Sequence, residues 1–300
     1  MAGAVVSFCA SAVAIRALAG NLNIFEILSI RTGFGLLVLL ALVAARPKLR
    51  RELLPRHMAL HLARNTTHFV GQYTWALAVT LLPLATVFTL EFTMPAWVAV
   101  LAMVFLGERM TISRAASVVL GFLGVLVIVR PGLASFQPLT LLVLLAAFTF
   151  ALSLIATKTL TNHVSTYAVI FWMNAIQLPI ALAWPAVIAA TGGPALFVFR
   201  LGLEDVMPAI AYGVVGLTSH YCLTNAFRSG DATVVVPLDF LRIPLIAIVG
   251  WTLYGETLDA FVFAGAGLII CGVLWNLHAE TRRVRPPVAT ATEQARSVKP

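Results

Sequence analysis

The chain has 300 residues, 60% of them hydrophobic and 11% charged, and its mean hydropathy is +0.96. Such values lie far from those of an ordinary soluble domain and exclude one here. In a soluble protein the net charge of +8 would point to a polyanionic partner; in this chain its meaning depends on where the basic residues fall.

A hydrocarbon layer about 30 Å thick needs about 20 apolar residues per helix. Read in that window, the chain divides into ten segments at 3–19, 27–45, 60–81, 84–106, 112–129, 139–157, 167–190, 206–227, 232–254 and 260–278. The connections are short, so no soluble domain fits between them. A β-barrel would show weak ten-residue alternation, whereas LTLLVLLAAFTFALSLIA (139–156) is a continuous run. The expected fold is therefore all-α: a polytopic membrane protein of ten transmembrane helices.

Segment one has Ala17-Leu18-Ala19 near its end, like a cleavage site. No basic residue precedes its apolar stretch, however, and Arg16 falls directly before the supposed cut, which argues for a retained helix over a signal peptide. Segment two contains Arg31. Segment three carries His61, Asn65, His68 and Gln72 at spacings of four, three and four, one face of a helix. That face reads either as a wet pathway or as interhelical hydrogen bonding. Arg64, beside it near the cytoplasmic end, can snorkel to the headgroups. Segment four holds Glu91 and Pro95, and segment seven adds Trp172, Asn174 and Gln177. Segment eight holds His220, Tyr221 and Asn225, and segment nine Pro237, Asp239, Arg242 and Pro244. The prolines remove helix hydrogen bonds and mark either a flexing point or a static kink. Tyr73, Trp75, Phe92, Trp97, Tyr221 and Phe240 lie near these polar positions and could stack on a flat ligand, or simply pack. Cys9, Cys222 and Cys271 stand singly, with neither disulfide nor metal spacing.

With the N-terminus inside, the cytoplasmic loops and tail carry Arg46, Lys48, Arg50, Arg51, Arg56, Arg109, Arg114, Lys158, Arg228, Arg282, Arg283, Arg285, Arg296 and Lys299. The opposite side holds Arg16, Arg130 and Arg200, with Arg31, Arg64 and Arg242 left deep inside segments. This asymmetry obeys the positive-inside rule. The basic balance thus reports topology rather than nucleic acid, with both termini expected in the cytoplasm.

Shifted by 148 residues without a gap, QYTWALAVTLLPLATVFTLEF (72–92) aligns with HYCLTNAFRSGDATVVVPLDF (220–240). Tyr73 falls on Tyr221, Glu91 on Asp239, Gly107-Glu108 on Gly255-Glu256, and Gly124 on Gly272. Each half has five segments, an odd number, so the halves must enter the membrane from opposite sides. Two inverted five-helix repeats, 1–133 and 138–279, followed by a disordered tail at 280–300, are the expected domains. Inverted repeats are typical of secondary transporters, whose halves exchange conformations around a midplane site.

At a rise of about 1.5 Å per residue, Asp239 lies about 10 Å from the cytoplasmic face, Arg242 about 15 Å in, and Glu91 about 10 Å from the other face. A charge at the bilayer centre costs at least ~2.5–3.5 kcal/mol, so such groups face a cavity or a partner. Asp239 and Arg242, spaced i, i+3, can pair on one helix face. Either the pair is structural, or Glu91 and Arg242 line a central cavity with Asp239 orienting the arginine. The Gly-Glu pairs read as helix ends: Gly107 and Gly255 as left-handed caps, Glu108 and Glu256 near the next N-terminus, with Thr111 and Asp259 as caps. Ser117, Gly121, Gly124, Gly265, Gly267 and Gly272 would let helices five and ten pack closely against a neighbour or a second copy, which allows a homodimer.

The stretch PAWVAVLAMVFLGERMTISRAASVVLGFLGVLVIV (95–129) and its counterpart IPLIAIVGWTLYGETLDAFVFAGAGLIICGVL (243–274) resemble the EamA-type drug/metabolite transporter superfamily over residues 4–278. The chain departs from that family's pattern in beginning almost inside its first helix. The resemblance implies a multi-pass protein of the bacterial inner membrane that transports a small organic metabolite, with no cofactor. Family members handle amino acids, nucleosides, vitamins, S-adenosylmethionine and cationic drugs, so the resemblance does not choose a substrate. The residues themselves supply Glu91, Asp239, Arg242, Arg31, His68, Gln72, Tyr73, His220, Tyr221 and Asn225 as candidates for substrate binding and translocation. With Arg31, Glu91 and Arg242 in a mixed cavity, they suit an anionic or zwitterionic compound with an apolar or aromatic part. Glu91 with His68 or His220 could carry a proton, although uncoupled exchange fits equally well. No GxxxxGK[ST] loop supports nucleotide hydrolysis. An intramembrane enzyme would need an HExxH motif, a nucleophile with its base or paired aspartates, and a channel would show filter loops; the chain presents none of these.

Overall fold

The computed structural model describes residues 1–81, 87, 90–129, 139–191, 201–254 and 260–284. Arg130, Arg200, Gly255, Glu256 and Asp259 lie outside the described residues, as does the expected disordered tail from residue 285 onward. Residues 280–284, expected in that tail, instead continue the last helix.

Every regular element described is helical: α1 (Ala2–Leu18), α2 (Ile24–Ala45), α3 (Met58–Leu81), α4 (Met94–Leu106), α5 (Ile112–Val129), α6 (Thr140–Thr161), α7 (Thr166–Ala190), α8 (Leu203–Ser229), α9 (Ala232–Val235), α10 (Arg242–Tyr254) and α11 (Ala260–Val284), with short 3-10 turns at Pro47–Arg51 and Val236–Leu241. In lipid each backbone N–H and C=O must find its partner within the segment, which leaves helices as the form these apolar runs take. Among the described residues five segments are long and apolar enough to cross a membrane: Ile24–Ala45, Thr140–Thr161, Thr166–Val187, Leu203–Ser229 and Val236–Leu253. Four shorter apolar helices accompany them, at Ala2–Leu18, Met94–Leu106, Ile112–Gly124 and Phe263–Ala279. Helix α3 falls below that hydropathy because its inner face is polar.

Local signals explain where several helices begin and end. Asn23 caps α2 through a reciprocal box: its Oδ1 accepts from Glu26 N at 3.1 Å, and its own N donates to Glu26 Oε2 at 2.9 Å. Gly107 closes α4 in the left-handed conformation, φ +65°, as its position in the sequence predicts. Thr111 Oγ1 accepts from Arg114 N at 3.3 Å. Glu108, which precedes α5 as expected, also reaches across the fold: its Oε1 accepts from Ala232 N at 2.8 Å at the start of α9. The same end of the molecule is stitched further. Arg114 pairs with Asp231 at 2.9 Å, Lys158 Nζ donates to the carbonyls of Phe227 and Gly230 at 2.7 and 2.6 Å, and Arg228 donates to the Val164 carbonyl.

Segments four and nine are broken rather than continuous. The chain turns at Phe92 and Thr93 before α4, which places Pro95 in the first turn, where no hydrogen bond is lost. Segment nine runs as α9, a 3-10 turn containing Pro237, and then α10. Glu91 and Asp239 therefore both stand where the helix is interrupted.

The most extensive helix–helix contacts are those of α5 with α11, α3 with α6, α1 with α8 and α2 with α7. Helices do not gain hydrophobic free energy by associating in hydrocarbon, so close approach of small residues matters more. At the α5–α11 contact a Cβ on Gly124 would lie 2.6 Å from the Gly265 carbonyl, and one on Gly272 would lie 2.9 Å from Leu120 Cβ. Gly121 gives way in the same manner to the ring of Phe240 at 2.6 Å. These small residues serve contacts within one chain, while Gly267 faces open space.

Candidate functional site

Helices α1, α3, α6 and α8, with Arg31 of α2 and the breaks before α4 and α10, enclose a cavity of about 1000 Å³ free of protein atoms, its open mouth included. Its wall is largely apolar, with Phe8, Ile15, Met94, Phe150, Leu154, Leu223 and Val236 among the lining residues. Three arginines, two acids and two histidines interrupt it: Arg31, Arg64, Arg242, Glu91, Asp239, His68 and His220.

One cluster joins the two broken segments. Arg242 Nη2 donates to Glu91 Oε1 at 2.6 Å and lies 3.3 Å from Asp239 Oδ2. Trp75 Nε1 donates to the other oxygen of Glu91 at 2.6 Å. The guanidinium also lies 5.1 Å from the ring centre of Phe92 and 5.7 Å from that of Phe8, within cation–π range. Glu91 is thus held by an arginine and an indole, and Arg242 by two carboxylates. Asp239 is the looser member, since its Oδ1 has no hydrogen-bond partner among the described residues.

A second cluster centres on Arg31, which is 4% exposed. Its Nη2 donates to Gln72 Oε1 at 2.8 Å and to Gln177 Oε1 at 3.0 Å, and its Nη1 meets His220 Nε2 at 3.1 Å. A guanidinium only donates, so His220 Nε2 accepts and the imidazole carries its proton on Nδ1. Because the Gln177 oxygen faces Arg31, its Nε2 turns to His68 Nδ1 at 3.0 Å, which makes that nitrogen an acceptor as well. The two imidazole rings stand edge to face, with centroids 5.0 Å apart. Arg64, 2% exposed, donates through Nε to Thr157 Oγ1 at 3.1 Å and through Nη1 to Asn65 Oδ1 at 2.7 Å.

Of the ten residues singled out from the sequence, Arg31, His68, Gln72, Glu91, His220, Asp239 and Arg242 line this one cavity. Tyr73, Tyr221 and Asn225 do not. Tyr73 stacks on Phe25 at 4.9 Å, and Tyr221, 41% exposed, lies 5.9 Å from the ring of Tyr167. Asn225 accepts from Thr166 Oγ1 at 2.9 Å and donates to the Tyr221 carbonyl at 3.0 Å. Helical phase explains all three: one residue turns about 100°, so Tyr73 and Tyr221 point away from the face of Gln72 and His220, and Asn225 stands about 140° off.

Arg64 corrects the snorkelling expectation, because it is buried in the cavity wall instead of reaching a surface. The signal was present: Arg64, His68, Gln72 and Trp75, spaced four, four and three, form the lining face of α3. His61 and Asn65, which the sequence reading placed on the stripe, sit beside α7; Asn65 Nδ2 donates to the Trp172 carbonyl at 3.3 Å. Of the aromatic candidates only Trp75 lines the cavity. Phe92 and Phe240 stack on each other at 5.5 Å, and Trp97 packs against Phe148. Phe8 and Tyr212, also in the wall, have no charged, imidazole or amide side chain within four residues that would have marked them.

Comparison with known proteins gives this wall its context. The chain is 30% identical over 229 residues to a riboflavin transporter of Rhizobium johnstonii, covering 76% of this chain and 72% of that one. It is 27% identical over 277 residues to an S-adenosylmethionine uptake transporter of Rickettsia felis, covering 92% and 90%. A crystal structure sharing 17% identity superposes with a TM-score of 0.75 over 94% of this chain and 96% of that one, a likeness of fold. These relatives are named as transporters rather than enzymes. The EamA-like transporter family matches at residues 1–130 and again at 138–277, and this chain, a polytopic helical membrane protein, belongs to that family of small-metabolite transporters.

Proposed function

We propose that the chain is a secondary transporter or exchanger that moves a small organic metabolite by alternating access through the central cavity. The observation that carries this reading is the cavity itself, in which charged side chains from both family-matched halves converge inside an apolar helical bundle. Charges at such depth are costly unless they serve a pathway or a partner.

Two inverted modules, 1–133 and 138–279, supply the mechanism. In support, helix pairing is unchanged by exchange of the halves. Exchange turns the α1–α8 pair into the α6–α3 pair, and returns α2–α7 and α5–α11 to themselves. Glu91 and Asp239, equivalent under the repeat, meet at Arg242. With five segments per half the modules face opposite ways, both termini lie in the cytoplasm, and rocking of one module on the other opens the cavity alternately. Arg242, Glu91 and Asp239 would be remade or broken in that motion, and Arg31, His68, Gln72 and His220 would contact substrate. The bacterial inner membrane is the location this reading implies. The substrates in the relatives' names, riboflavin and S-adenosylmethionine, both join a flat heteroaromatic ring to a polar part, which suits an apolar wall with polar ends.

The test is thermal-shift screening of purified protein against a metabolite library, followed by counterflow of the hits in proteoliposomes. Saturable exchange lost in Arg242→Ala is the expected result. No exchange of any stabilising compound, or its chemical conversion in detergent, sinks the proposal. A flux indifferent to an imposed pH gradient would remove proton coupling and leave exchange.

A further inference from the structure

We infer that the Arg31–Arg64 end of the cavity is the subsite for an oxyanion on the substrate, which is therefore an organic anion carrying a carboxylate or phosphate on an apolar or aromatic body. This rests on the transport reading and narrows it to a class of compound.

Two buried cations in the wall of one cavity define the subsite. Arg31 and Arg64 are 4% and 2% exposed and both line the cavity, yet neither has a carboxylate partner among the described residues. Their partners are amides, a hydroxyl and an imidazole, which accept hydrogen bonds without cancelling charge. The buried acids among the described residues serve other groups. Glu26 closes the box at Asn23, and Asp205 accepts from Asn21 and from Gly202 N. Glu91 and Asp239 belong to Arg242. The lining thus sets three arginines against two carboxylates, and both carboxylates are at the other end. A buried charge without a counter-charge is expensive, and a ligand bringing the missing charge into this site would recover that cost.

Donors are available to meet such a ligand. A guanidinium has five N–H groups, and the three hydrogen bonds of Arg31 leave its Nε, which is buried without any partner, and one N–H of Nη1. The fold also makes room for this side chain: a Cβ at Gly216 would lie 2.7 Å from Arg31 Cγ. Beyond the arginines the wall turns apolar. Phe150 lies 5.6 Å from His68, and Phe8 stands between the clusters, 6.0 Å from His220 and 5.7 Å from Arg242. An anionic head on the arginines would place an aromatic body against these rings.

Equilibrium dialysis of the purified full chain in detergent against three indole probes of similar shape and different charge, with an aryl phosphate beside them, tests this. Indole-3-acetate is the carboxylate, tryptophol the neutral analogue and tryptamine the cation, with phenyl phosphate as the phosphate arm. The expected result is at least about tenfold tighter binding of an anionic probe than of tryptophol or tryptamine, with the stronger of the two anions naming the headgroup. Arg31→Gln should weaken that anion by about tenfold and leave tryptophol unchanged, and Arg31→Lys should retain part of the preference. The comparison among probes on the unaltered protein stands even if Arg31→Gln folds poorly. Failure of both anions to bind, tryptamine binding as well as either, or an unchanged anion affinity in well-folded Arg31→Gln overturns the inference. Anion binding without any flux in proteoliposomes would instead sink the transport reading and leave the subsite in place.

Discussion

The cavity holds its two ends by opposite means. At Arg242 the protein supplies its own counter-charges, Glu91 at 2.6 Å and Asp239 at 3.3 Å, drawn from the two broken segments. At Arg31 it supplies two amides and an imidazole at 2.8 to 3.1 Å and no acid among the described residues. Both arginines are well hydrogen-bonded, but only one is neutralised. A neutralised cation joins elements of the fold, whereas a cation that is solvated but not neutralised keeps its charge for whatever enters. Two arginines in the wall of one cavity thus do different work, and their partners are what distinguish them.

The largest effect should come from taking a counter-charge away. Glu91→Ala leaves Arg242 with the looser acid alone and strips Trp75 of its acceptor, and loss of one partner of a buried pair costs about 3–5 kcal/mol. Unfolding of purified protein in detergent should show that loss, with Glu91→Gln, which keeps a hydrogen-bond acceptor, less affected. Arg31→Gln is the contrasting case. It removes a charge that has no internal counter-ion, so its stability loss should be clearly smaller than that of Glu91→Ala; equal losses would abolish the distinction between the two ends.

Next in size is Gln177→Leu, which deprives Arg31 of one acceptor and His68 of its donor. A hydrogen bond to a charged group contributes about 1.5–3 kcal/mol, so a drop in that range is expected in the same unfolding assay. Asp239→Asn should be milder, about 1 kcal/mol, because the bond to Arg242 is long and Oδ1 bonds nothing described. A cost matching that of Glu91→Ala would mean that the two acids share Arg242 equally, against the difference in their distances.

The charged residues at both ends are legible in the sequence, although the difference in their partners is not. Charges inside apolar runs are rare enough to be noticed, so Arg31, Glu91, Asp239 and Arg242 were found by composition alone. Helical periodicity grouped His68 with Gln72, and the span 112–129 was read with the limits that α5 has. Other features depend on what lies opposite a residue. Arg64 could have snorkelled, and only the closeness of Thr157 on α6 and Asn65 shows that it turns inward. Tyr73, Tyr221 and Asn225 were chosen for chemistry next to genuine lining residues, although a step of one residue turns a side chain off the face. The broken segments were marked by proline, but a proline does not say whether the helix kinks there, starts there or passes into a 3-10 turn. Pro95 starts α4, and Pro237 sits within the turn.

The smallest expected effect calibrates the others. Arg114 and Asp231 are 2.9 Å apart, as close as a strong buried pair, but the Asp231 side chain is 51% exposed while that of Arg114 is 9% exposed. Water and salt already screen the aspartate, and a half-exposed ion pair is worth about 0.2–1 kcal/mol. Asp231→Asn should therefore lower stability by no more than about 1 kcal/mol. What it does lose should shrink as salt is raised toward 1 M, where the Debye length falls to about 3 Å. The loss from Glu91→Ala should barely respond to the same salt, since that pair is shielded from solvent. If both variants showed the same salt dependence, ions would be reaching Glu91 and Arg242 as freely as they reach the loops, and the neutralised end of the cavity would be wet rather than closed.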